Sequence, residues 1–205
     1  MVVKTPGLTV SNMIFRNSRQ GLTIEQIASV TITNCNVIAT DDPEQGGITI
    51  SDGSDTICSN LIVKGCKVGI RQFSCENAAV TNCYFKDTLS KSIFNLYDTT
   101  SGITNCTFED SDIAVDNSGE STTVIQYCNI NARIGLYNYA QTNWVAAYFN
   151  ANNNNFDCSQ HAIKTFAVFY AEHHFNATYN YWGTGSSAEI SGALIYDRYD
   201  VDPAD

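Results

Sequence analysis

One short phrase, written eight times along the chain, constrains its fold more than any other feature. It alternates apolar and polar residues, usually reaches Asn, and after two more residues returns to an apolar one. Clear copies are Leu8-Thr9-Val10-Ser11-Asn12-Met13-Ile14-Phe15, Val30-Thr31-Ile32-Thr33-Asn34-Cys35-Asn36-Val37, Ala79-Val80-Thr81-Asn82-Cys83-Tyr84-Phe85 and Gly102-Ile103-Thr104-Asn105-Cys106-Thr107-Phe108. Weaker copies run from Ile62 to Val68 and from Val124 to Ile130, and the series closes on Asn153-Asn154-Asn155-Phe156 and Tyr179-Asn180-Tyr181-Trp182. The position after the Asn falls at residues 13, 35, 66, 83, 106, 128, 154 and 180, giving steps of 22, 31, 17, 23, 22, 26 and 26. A helical repeat keeps a nearly fixed length, whereas stacked β-coils let their turns absorb insertions. The longest step predicts a projecting loop within Asp41-Asp42-Pro43-Glu44-Gln45-Gly46.

A second strand follows in each coil: Gly21-Leu22-Thr23-Ile24-Glu25, Gly47-Ile48-Thr49-Ile50-Ser51, Gly69-Ile70-Arg71-Gln72-Phe73, Ser92-Ile93-Phe94-Asn95-Leu96, Asp112-Ile113-Ala114-Val115-Asp116 and Arg133-Ile134-Gly135-Leu136-Tyr137. Period 2 with β-branched residues means strand, and no window has the spacing of an amphipathic helix. The expected fold is all-β: a parallel solenoid of about eight coils, one domain over residues 1–205. At about 4.8 Å per coil it would be a rod of roughly 40 Å.

Composition narrows the partners. Hydrophobic residues are 43% of the chain, enough for a core, while charged residues are only 16%. The net charge of −10 disfavours nucleic acid and anionic membrane, because phosphate binding needs clustered Lys and Arg. No apolar run is long enough for a membrane-spanning helix. The start is not a signal peptide, and Gly7 already opens the repeat, so the chain is expected to be a piece of a longer protein.

Cys35, Cys66, Cys83, Cys106 and Cys128 share the register position and are expected to stack on five consecutive coils. Buried free thiols packed as small hydrophobes are the simplest reading, although neighbouring coils lie within disulfide reach. Cys58 and Cys75, each eight residues before a register Cys, are expected to stack as well, and Cys158 has no mate. The absence of C-x-x-C argues against zinc. Asn12, Asn34, Asn82, Asn105 and Asn153 precede the register position; Asn tolerates the left-handed conformation of a tight turn, and its amide can ladder along a rod.

The closing segment is the most distinctive stretch: Asn180-Tyr181-Trp182-Gly183-Thr184, then Glu189-Ile190, Leu194-Ile195-Tyr196-Asp197 and Asp202-Pro203. Together with the repeat, it resembles right-handed parallel β-helix proteins of the NosD-like and carbohydrate-binding or sugar-hydrolase class, which are distantly pectate-lyase-like. The resemblance implies a right-handed parallel β-helix located extracellularly or at the cell surface. In such domains the chain commonly runs on past the Asp-Pro. It also implies that any site lies on the outer face of one sheet. It does not fix an activity, because this fold hosts many.

The outward positions of the second strand read Thr23/Glu25, Thr49/Ser51, Arg71/Phe73, Phe94/Leu96, Ala114/Asp116, Gly135/Tyr137 and Lys164/Phe166. On this register Asp116 stands between Leu96 and Tyr137, and Arg71 between Thr49 and Phe94. A glycoside hydrolase needs two carboxylates about 5–10 Å apart, and no such pair forms here. A lyase-like cluster of base and calcium-binding carboxylates is missing too. Asp110, Asp112 and Asp116 are weak calcium candidates, a solvated turn being the simpler reading. Glu172-His173-His174 with His161 makes a poor metal site, since adjacent strand residues point apart. Copper is poorly supported with only two methionines. No cofactor is expected, calcium aside.

What stands out is aromatic. Phe73, Phe94, Tyr97, Tyr137, Tyr139 and Phe166 fall at or beside outward positions, together with Arg71 and Asp116. Such a strip marks a ligand groove or an interface, and aromatic faces suit the C–H surfaces of sugar rings. Gln72 and Asn95 point inward on neighbouring coils and need partners there. The expected function is a non-catalytic extracellular module, structural or carbohydrate-contacting. Its partner would be a polysaccharide or another glycan, or further copies of the chain. A self-assembling structural protein is one alternative, and a polysaccharide lyase or hydrolase with an unrecognised site is another.

Overall fold

The computed structural model describes residues 2–3, 6–17, 21–39, 46–140, 147–167, 174–183 and 195–196. Every described segment of regular structure is β-strand, and all their pairings are parallel. Each coil contributes to three faces. The first is an eight-stranded sheet with one strand per coil, from Thr9–Ser11 through Thr31–Thr33, Ile57–Ser59, Ala78–Thr81, Thr100–Thr104, Thr122–Gln126 and Tyr148–Asn152 to His174–Asn176. The second runs through Ile14–Arg16, Asn36–Ile38, Ile62–Lys64 and Tyr84–Lys86. The third runs through Leu22–Glu25, Ile48–Ser51, Val68–Phe73 and Lys91–Leu96. The second and third faces merge in the long strands Thr107–Ser118, Asn129–Ala140 and Asn155–Ala167. Irregularities between Phe108 and Ser111, and between Ala132 and Ile134, take up the corner there. The expected all-β solenoid is therefore the observed one.

Alternation builds the core. Leu22, Ile48, Ile70, Ile93, Val115, Leu136 and Ile163 form one inward column on the third face and are all buried. Each such side chain contributes about 1.5–3 kcal/mol by leaving water. At the start of this face the coils approach closely: a Cβ on Gly69 would stand 2.5 Å from the Ser92 carbonyl oxygen, so only glycine fits.

The turn asparagines behave as expected in their backbone. Asn12, Asn34, Asn82, Asn105 and Asn153 have φ between +52° and +56°. Asn60, Tyr127 and Tyr179 share this conformation, so stacking imposes it even on bulky residues. The side-chain ladder lies elsewhere. Asn12 donates to Ser11 and Asn153 to Asn152, each within its own turn.

The register of the third coil needs correction. Ile62 N–H donates to the Cys35 carbonyl and Asn36 pairs with Ile62, so Leu61, not Cys66, shares the column of Cys35 and Cys83. The positions become 13, 35, 61, 83, 106, 128, 154 and 180, and the steps even out to 22, 26, 22, 23, 22, 26 and 26. Gly65, with φ +62°, makes the next corner, and Cys66 follows it. The single stack of five cysteines is thus a run of three, Cys83, Cys106 and Cys128, with Cys35 below Leu61. Cys58 points inward from a strand, paired with Ile32 and Val80, while Cys75 lies in a turn, so these two do not stack either. All eight thiols are free, and seven are buried. Burial pushes the thiols of Cys58 and Cys158 up to about 12. Above Cys128 the column continues as Asn154 and Asn180. Cys106 N–H donates to Cys128 Sγ at 3.4 Å, Cys128 N–H to Asn154 Oδ1 at 3.0 Å, and Asn154 N–H to Asn180 Oδ1 at 2.9 Å. The expected loop at 41–46 lies, apart from Gly46, outside the described residues.

Candidate functional site

The outer surface of the third face carries two rows of side chains. Register places Thr23, Thr49, Arg71, Phe94, Asp116, Tyr137 and Lys164 in one row. Glu25, Ser51, Phe73, Leu96, Ser118, Tyr139 and Phe166 form the other. Two coils therefore sit two residues away from the expected alignment. Asp116 stands between Phe94 and Tyr137, not between Leu96 and Tyr137, while Ala114 turns inward and is buried. Arg71 lies between Thr49 and Phe94, as expected.

The aromatic strip divides into two groups. Phe73 meets Tyr97 edge-on at 5.3 Å, with the Arg71 guanidinium 5.8 Å from the Phe73 ring. Further along, Tyr137, Tyr139 and Phe166 stack in series, with centroids 6.3 and 5.8 Å apart. Tyr97 and Phe166 are the most exposed, at 46% and 41%, and the remaining rings of the strip are half-buried.

Between the groups lies an open cleft of about 250 Å³ lined by Lys91, Phe94, Leu96, Asp116, Ser118, Tyr137 and Tyr139. Its polar element is an ion pair. Lys91 Nζ lies 3.4 Å from the centroid of the Phe94 ring and 2.6 Å from Asp116 Oδ2. Asp116 is 1% exposed although it belongs to an outward row, and its Oδ1 has no partner. Burial raises its carboxyl above the usual range, against the pull of Lys91. The Tyr137 phenol is pushed up to about 12 by burial and by the Asp116 charge, so it remains a proton donor at neutral pH.

Sequence reasoning missed Lys91. The signal was a lysine three residues before Phe94 with a carboxylate on the next coil, since opposite charges on neighbouring strands pair. It placed Gln72 and Asn95 inward on neighbouring coils, as found, but not their partners. Gln72 and Asn95 are neighbours in one inward column, but Asn95 Nδ2 donates to Asn117 Oδ1 at 3.1 Å and to Thr123 Oγ1 at 2.8 Å, while both polar atoms of Gln72 lack partners.

The three calcium candidates are not brought together. Asp112 accepts from Arg133 Nε at 2.5 Å, and Asp110 lies 3.8 Å from Lys86. Asp116 is bound to Lys91 beneath the cleft. Each carboxylate thus has its own cation. Among the described residues no three His, Cys, Asp or Glu side chains gather as a metal site. Glu172 and His173 lie outside the described residues.

The family model for the right handed beta helix region matches residues 2–104, which is 103 of the 205 residues. Among solved structures, the crystal structure of an alginate lyase from Paenibacillus sp. str. FPU-7 superposes with a TM-score of 0.52 at 12% identity, covering 82% of this chain and 76% of that one. At that identity the likeness speaks to fold alone. QnrB1, a plasmid-mediated fluoroquinolone resistance protein, aligns at 16% identity over 77% of each chain, but its TM-score of 0.26 carries no argument. No curated protein matches the chain.

Proposed function

The chain belongs to the right-handed β-helix family, and from that premise we propose that it is a non-catalytic module acting outside the cell or at its surface, where it contacts polysaccharide through the cleft of its third face. One observation carries the reading: Phe94, Tyr137 and Tyr139 line an open cleft around a single ion pair. Aromatic rings give sugar rings an apolar surface, and a few convergent polar groups set their orientation.

The same lining favours binding over catalysis. Asp116 is the single carboxylate among the described lining residues, where glycoside hydrolysis uses two. Lys91 is held by Asp116, and Tyr137 keeps its proton at neutral pH, so neither stands ready as a general base.

Affinity electrophoresis through gels carrying a panel of polysaccharides tests this reading. The chain should be retarded by at least one of them, and Phe94→Ala should weaken that binding by about tenfold or more through loss of a stacking ring. Equal retardation of the variant, or no retardation by any glycan, would overturn it. In the second case concentration-dependent light scattering would ask whether the face joins copies of the chain, and release of sugar fragments would point to catalysis instead.

A further inference from the structure

We infer that the cleft seats a neutral sugar ring, with Asp116 Oδ1 accepting one of its hydroxyls and Lys91 donating to a neighbouring one. This inference rests on the glycan reading above and names the class of glycan.

One oxygen of the ion pair is unsatisfied. Asp116 lines the cleft and is almost wholly buried, and its two oxygens differ: Lys91 Nζ occupies Oδ2 at 2.6 Å, while Oδ1 has no partner. A buried carboxylate oxygen without a donor is unfavourable, and an ionised carboxylate can only accept. What completes it must donate. Lys91 adds the opposite capacity, because an ammonium has three donors and only one is directed at Asp116. The pair therefore presents an acceptor and a donor side by side, in a cleft that Phe94 and Tyr137 also line. Adjacent ring hydroxyls match this arrangement, since each one both donates and accepts. Tyr137, whose phenol keeps its proton, lines the same space.

Charge selects against an acidic ring. Lys91 and Asp116 sum to zero, so the pair offers no surplus cation. A uronate carboxylate placed here would set acceptor against acceptor and like charge against like charge. The other cations of this row, Arg71 and Lys164, sit two coils to either side of Asp116, roughly 10 Å away by strand spacing.

The test uses the full chain, with galactomannan, mixed-linkage β-glucan and dextran as neutral probes and alginate and polygalacturonate as acidic ones. Wild type, Asp116→Asn and Phe94→Ala are compared by affinity electrophoresis, with thermal melts to confirm folding. Retardation is expected from a neutral polysaccharide and from neither uronate. Asp116→Asn should weaken that binding by about tenfold or more, because its amide O would turn to Lys91 and leave NH2 where an acceptor is needed. Neutral-glycan binding that is lost in Phe94→Ala but unchanged in Asp116→Asn would overturn this inference and leave the glycan reading intact. Retardation by a uronate alone would do the same. Retardation by no probe in either class would remove both. If Asp116→Asn fails to fold, the wild-type preference between neutral and acidic probes still decides.

Discussion

The third face has one inward column that changes character along the rod. In the early coils it holds Ile24 and Ile50, both fully buried, beneath an outward row of Thr23 and Thr49, themselves buried, and half-buried Ser51. From the next coil on it holds Gln72, Asn95, Asn117, Asn138 and Thr165, also buried, beneath the outer rings and the Lys91–Asp116 pair. The amides are not filler. Asn95 and Thr123 both donate to Asn117 Oδ1, while Asn117 Nδ2 donates to the Tyr148 carbonyl and Asn138 Nδ2 to the Ala147 carbonyl. They tie the strands carrying the cleft to the first face across the corner between them. Aliphatic packing holds a coil without directional bonds, whereas amide bonds also fix the position of a strand along its neighbour. Directional bonding thus lies beneath the part of the face where ring positions matter.

Exchanging residues between the two stretches tests whether they differ in this way. Ile50→Asn puts an amide where the surroundings are aliphatic and should cost about 3–5 kcal/mol, read as a fall in the denaturant midpoint. A loss under ~1 kcal/mol would show that the early coils accept amides as readily as the later ones. Asn117→Leu removes the acceptor shared by Asn95 and Thr123 and the donor to Tyr148, and should cost about 2–4 kcal/mol by the same measurement. If it stabilises the chain, the amide network contributes nothing to folding. Gln72→Leu should be the mildest, neutral or stabilising by about 1 kcal/mol, because its two unpartnered polar atoms are fully buried. A clear loss there would mean that Gln72 is satisfied in solution and belongs with the amide stretch.

Much of this was legible in the sequence. Alternation marked the strands, the repeated phrase marked the coils, and Asn12, Asn34, Asn82, Asn105 and Asn153 announced their left-handed turns. These are local properties: period 2 follows from the pleat, and Asn's tolerance of positive φ follows from its own short side chain. The grouping of rings on one outer face was also readable, because outward positions on successive strands must line up. Which residue opposes which was not. A slip of two residues preserves the alternation, so Ala114/Asp116 and Asp116/Ser118 fit the sequence equally well. Likewise, the third coil offered two candidates, Asn60-Leu61 keeping the Asn of the phrase and Gly65-Cys66 keeping its Cys. Only the stacked backbone decided, because the hydrogen bonds between coils admit one register at a time. The cleft depends on that choice: it exists because register sets Phe94 beside Asp116 and brings Lys91, one coil away, to its carboxylate.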